Sequence, residues 1–122
     1  MISDVEKCSG RQMSVEKRST PELCTLMTIS TVHITESTCQ FLDDECDPAT
    51  SITGVCICKK IIAGSVYGWF VYIDSLTEAS CDLEVLPEDL RACIKFALDC
   101  QASILCFDSD GPVMSQLIAY NI

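Results

Sequence analysis

His33 is the only histidine of the chain, so any imidazole that moves a proton or ligates a metal must be this one. Cys39 and Cys46 could serve it as nucleophilic partners, but neither stands in a recognisable catalytic motif. The expected role of His33 is therefore structural, its ring hydrogen-bonded near the start of the helix that follows. Cys56-Ile57-Cys58 puts two sulfurs on one face of a strand, whereas structural zinc sites usually carry C-x₂₋₄-C pairs on turns. No such pair occurs, and no metal or cofactor is expected. Asp108-Ser109-Asp110-Gly111 resembles the opening of a calcium loop, yet it lacks the acidic ligand due at the twelfth position. Asp and Gly favour turns, so a turn is the expectation there.

The carboxylates are more numerous than these reactive groups and more unevenly placed. Residues 1–20 hold four bases against three acids, while the rest of the chain holds fifteen acids against Lys59, Lys60, Arg91 and Lys95. The net charge of −10 thus belongs to the body and not to the N-terminal segment. Such a body repels phosphate backbones and anionic membranes, which argues against direct nucleic-acid or membrane binding and for a basic protein surface as partner. Candidate partner-binding residues are the cluster Asp43, Asp44 and Glu45, and the run Asp74, Glu78, Asp82, Glu84, Glu88 and Asp89. Trp69 joins them, because Tyr67-Gly68-Trp69-Phe70-Val71-Tyr72 concentrates half of the chain's aromatics and Trp is enriched at binding hot spots.

The elements that must position these groups follow from periodicity. Residues 1–20 lack it and read as a flexible arm; residues 21–122 read as a single α+β domain. Leu23 to Ile29 is a short apolar run expected as a buried strand. Thr35 is placed to cap a helix, with Ile34 and Cys39 as a hydrophobic staple and an end near Asp43 to Cys46. Gly54 to Ile62 and Val66 to Ile73 are predicted strands joined by a Gly-containing hairpin, and the adjacent Lys59 and Lys60 must point to opposite faces unless the strand bulges. Pro87-Glu88-Asp89 opens a second helix, whose stripe is Leu90, Cys93, Ile94, Ala97 and Leu98. Ser103 to Phe107 and Val113 to Tyr120 are predicted as further strands. The resulting order, β-α-β-β-α-β-β, predicts a ferredoxin-like split βαβ sheet with two helices on one face and one added strand.

At 122 residues and 48% hydrophobic content the chain can bury one core. Its apolar runs are far shorter than the roughly 20 residues of a membrane span, and its charged N-terminus offers no secretory signal, so a cytoplasmic location is expected. Ten cysteines in a reducing compartment remain thiols. Cys24, Cys56, Cys58, Cys93 and Cys106 stand inside apolar segments and are expected to be buried as small hydrophobes.

Three stretches carry a resemblance: Ser30-Thr31-Val32-His33-Ile34-Thr35-Glu36, Tyr67-Gly68-Trp69-Phe70-Val71, and Phe107-Asp108-Ser109-Asp110-Gly111-Pro112 with a Tyr near the C-terminus. Over residues 25–121 the chain resembles an uncharacterised domain-of-unknown-function family of bacterial plasmids, prophages and other mobile elements. That resemblance implies a context and no catalytic activity. The expected function is a non-catalytic, acidic inhibitor or adaptor, similar in character to anti-CRISPR proteins, that blocks the basic surface of a host defence protein such as a CRISPR effector or another nuclease. An accessory or immunity-type partner of a toxin, bound through the aromatic strand, is the alternative. A small enzyme using His33 with Cys39 or an aspartate is the third reading.

Overall fold

The computed structural model describes residues 19–78 and 83–120. Four strands, β1 (Leu26–Ser30), β2 (Ile57–Ile62), β3 (Ser65–Tyr72) and β4 (Ile104–Asp108), form one sheet in the order β1-β4-β3-β2. Three helices, α1 (Glu36–Cys46), α2 (Asp74–Glu78) and α3 (Glu88–Asp99), complete the α+β domain. β1 is parallel to β4, and β4-β3 and β3-β2 are antiparallel, so β1 and β2 run the same way. β1-α1-β2 is thus a split βαβ unit whose two parallel strands lie at opposite edges, with β4 and β3 between them.

Side chains alternate across this sheet, as a pleated strand requires. Ile29, Leu105, Phe107, Trp69, Val71 and Ile57 face the core, where Leu42 of α1 and Leu90, Cys93, Ile94 and Ala97 of α3 pack on them. Both long helices therefore lie on one face. On the other face Phe70 and Tyr72 are half-buried, and Cys106 is buried between its neighbours. The predicted stripe of α3 is realised except at Leu98, which is 48% exposed. Four residues suffice to cover the sheet, and the fifth has turned beyond it.

Local chemistry places the turns. Between β2 and β3 only Ala63 and Gly64 remain, with φ of 51° and 84°, the two positive values of a tight primed hairpin turn. The register shifts between Lys60 and Ile61. Before this bulge the two lysines point to opposite faces, Lys59 toward Asp43 of α1 and Lys60 toward Asp108. Thr35 caps α1 as predicted, its hydroxyl accepting from the Thr38 N–H.

Two expectations need correction. Residues 113–120 form no strand. Both sides of β4 are already occupied, by β1 and β3, so the chain leaving β4 cannot pair with it. Instead it crosses the end of β1, where the Ser30 N–H donates to the Pro112 carbonyl at 2.9 Å. The thiols are also less buried than the apolar runs suggested: Cys93 and Cys106 are buried, but Cys24, Cys56 and Cys58 are exposed. Cys24 precedes the first paired residue of β1, and β2 is an edge strand whose outer face has no covering helix. The arm expected over residues 1–20 lies, but for Ser19 and Thr20, outside the described residues.

Candidate functional site

The three motif stretches meet at the end of the sheet where parallel β1 and β4 finish and β3 begins. His33 closes the 3₁₀ turn Thr31–His33 after β1 and is buried. Its Nδ1 donates to the Ile118 carbonyl at 2.8 Å and its Nε2 accepts the Met114 N–H at 2.9 Å, which defines the neutral Nδ1–H tautomer. With the Tyr120 N–H donating to the Val32 carbonyl at 2.7 Å, residues 30–33 hold the C-terminal segment at four points. Both ring nitrogens of His33 are engaged by backbone, and the partners belong to the C-terminal segment and not to the start of α1 where the sequence placed them.

The glycines of these motifs answer to close approach. A Cβ on Gly68 would collide with the Phe107 carbonyl on β4, and one on Gly111 would sit 2.7 Å from the Ile29 carbonyl oxygen. Asp108 accepts the Asp110 N–H at 2.8 Å, making the predicted turn, and also takes Lys60 as ion pair. The Lys60 hydrogen bond, helped by the Asp110 N–H, lowers the Asp108 carboxyl, and Asp108 in turn raises the Lys60 ammonium.

The candidate partner-binding residues divide by exposure. Trp69 is buried and its indole donates to Asp43 at 2.9 Å, so it anchors β3 to α1 and offers no surface hot spot. Glu45 is buried as well: it accepts the Ile52 and Thr53 N–H groups at 2.8 and 3.1 Å and the Ser51 and Thr53 hydroxyls. Burial alone would raise this carboxyl, but these donors outweigh burial and its pKa is lowered. Asp89 is the second buried acid among the described residues. It accepts the Thr35 N–H and the Thr38 hydroxyl, both at 2.7 Å, and ties the N-termini of α1 and α3 together. Glu84 pairs with Arg91 at 3.5 Å. Asp44, Asp74 and Glu88 are exposed as expected. The Glu78 side chain and Asp82 lie outside the described residues.

What remains at the surface has a pattern that the sequence reading did not single out. Glu36, Gln40, Asp44 and Asp47 are all exposed; the spacing of the first three puts them on one stripe of α1, and Asp47 is its C-cap. Among the described residues no cation lies within ion-pair distance of Glu36, Asp44, Asp47, Asp74 or Glu88. α1 carries no base in its last turn, so Asp44 and Asp47 stand uncompensated at the negative end of its dipole. Helical spacing could have revealed the stripe once the start of α1 was placed; the buried roles of Glu45 and Asp89 could not be read from spacing.

Burial, then Asp43, Asp89 and Glu36, push the Cys39 thiol up, and burial with Asp89 pushes Cys93 up to about 12. Cavities are shallow and open. One of about 650 Å³ is lined by Glu45, Cys46 and the loop 51–57, and an apolar groove of about 380 Å³ runs beside β1 between Phe96 and Met114. Among the described residues no group of three or more His, Cys, Asp or Glu could hold a metal ion, and no helix is long and apolar enough to cross a membrane.

No curated protein and no solved structure matches the chain. A family model described as the C-terminal domain of a family of unknown function, DUF5983, matches residues 26–122, from the first residue of β1 onward. The chain therefore belongs to the DUF5983 family, and its described fold from β1 onward is that of the family's C-terminal domain.

Proposed function

We propose that this chain is a non-catalytic protein-binding module that presents the acidic stripe of α1 to a basic surface on another protein. The exposed acids Glu36, Asp44 and Asp47, which have no cation within ion-pair distance among the described residues and of which Asp44 and Asp47 stand at the negative end of the α1 dipole, carry this reading. Exposed acids at a helix C-terminus cost about 0.3–1 kcal/mol each, and a local conflict of this kind is expected where function demands it. A basic partner would remove the conflict, and the field of the body would speed the encounter. The engagement of His33 by backbone at both nitrogens, and the raised Cys39 thiol, favour binding over catalysis.

The resemblance to proteins of plasmids and prophages points the reading further, to a mobile-element inhibitor whose target is a host defence or nucleic-acid-binding protein, such as a CRISPR effector, that uses its basic surface on phosphates. Burial of Trp69 against Asp43 weighs against a toxin partner docked on that side chain.

The test is affinity capture from host lysate with wild type and with the combined variant Glu36→Gln, Asp44→Asn, Asp47→Asn and Glu88→Gln. These changes spare the buried acids Glu45 and Asp89. The variant should fold and lose the partner that wild type recovers at low salt. Equal recovery of the same partner by both proteins, at low and at moderate salt, would reduce the stripe to a solvated surface.

A further inference from the structure

Cys56 and Cys58 are exposed free thiols on the open face of the sheet, with Ile57 between them turned into the core at 6% exposure. The backbone around them is held on both sides: Cys56 N–H donates to Ser75 Oγ at 2.9 Å, the Cys56 carbonyl accepts the Tyr72 N–H at 3.0 Å, and Cys58 stands opposite Phe70. Two residues apart along the chain entering β2, with Ile57 turned to the core between them, the two thiols project from the same face.

This spacing selects among the reactions of a dithiol. Alternate residues of a strand lie about 6.6 Å apart, with side chains on the same face. A disulfide needs Cβ atoms about 3.5–4.5 Å apart, so these two cannot close one without unmaking the strand. Two thiolate–metal bonds of about 2.3 Å in line set the sulfurs about 4.6 Å apart, which each Cβ–Sγ bond supplies by leaning toward the other. A tetrahedral zinc site needs four ligands, and the described residues offer no group of even three. Soft thiolates favour Cu(I), a monovalent ion content with two ligands.

We propose that Cys56 and Cys58 form a two-coordinate site for a thiophilic monovalent ion of the Cu(I) class on the outer face of β2. Binding exchanges protons and involves no electron transfer: two thiols and one Cu(I) give a bis-thiolate complex of net charge −1 and two released protons. Burial followed by the neighbouring Cys58 raises the Cys56 thiol, so affinity rises with pH as those protons become easier to displace. Cys46 shares a cavity lining with Cys56, but it is half-buried at the end of α1, and among the described residues it makes no three-residue metal-binding group with the pair.

The experiment is anaerobic titration of the full, reduced chain with Cu(I) against a chromophoric Cu(I) chelator, with native mass spectrometry to count bound ions. Wild type should retain copper against the chelator. Cys56→Ser and Cys58→Ser should each lower the affinity of that site by at least about 100-fold, more than loss of a mere outer-shell group. The double variant should carry one ion fewer than wild type. Cys46→Ser and the exposed-thiol control Cys24→Ser with Cys100→Ser should keep the wild-type count. The substituted residues are solvent-facing at the pair, and circular dichroism verifies that each variant folds. A double variant that holds as many ions as wild type, or a wild type that holds none against the chelator, overturns the proposal.

Discussion

Glu45 shows how far one residue's role can depart from its type. Its neighbours Asp43 and Asp44 are also acids, yet only Glu45 turns inward to receive the donors of residues 51–53. Glu45→Gln would set an amide N–H against backbone N–H groups and should cost about 2–3 kcal/mol at pH 7, measured by urea unfolding. Its pKa is lowered on folding, so its contribution is present above the ordinary value of 4.5 and lost as pH falls through the folded value. The gap between wild type and Glu45→Gln should therefore shrink on acidification below that value. A gap constant down to the acid limit would mean that the charge is not what the loop recognises. The acidic cluster was legible in the sequence; the inward turn of one member was not, since its partners lie six to eight residues on in a loop with no periodicity.

At the scale of the element, α1 illustrates a conflict between local preference and surface charge. Its start was legible from Thr35 and its end from the spacing to Pro48, and both agree with Glu36–Cys46. Neutralising Asp44→Asn and Asp47→Asn keeps acceptors for Gln40 Nε2 and the Ala49 N–H. It also relieves the dipole conflict, so stability should rise by about 0.3–1 kcal/mol for each charge removed. If the stripe binds a basic partner, the same pair of changes weakens that binding. Thermal unfolding and partner capture should thus move in opposite directions. A loss of stability in this variant would show that the two carboxylates already have cationic company.

Across the whole molecule, the decisive device is the return of residues 109–120 over the end of β1. His33 reaches Met114 and Ile118, and neighbouring Ser30 and Val32 reach Pro112 and Tyr120. His33→Ala would orphan a donor and an acceptor and leave a cavity where a fully buried ring stood. The expected cost is about 3–5 kcal/mol, with early proteolytic cleavage after residue 112. Unchanged protease resistance of that segment would show that the remaining anchors suffice. The sequence by itself determined the two long helices α1 and α3, the β2–β3 hairpin and the opposed lysines, but not the short α2, because capping, periodicity and turn chemistry act over a few residues. Only the tertiary structure decided the strand order, the loss of the expected last strand, and the burial of Trp69, Glu45 and Asp89. Those outcomes depend on which edge of β4 is already taken and on partners such as Thr35 and Asp89, 54 residues apart, that no local pattern brings together.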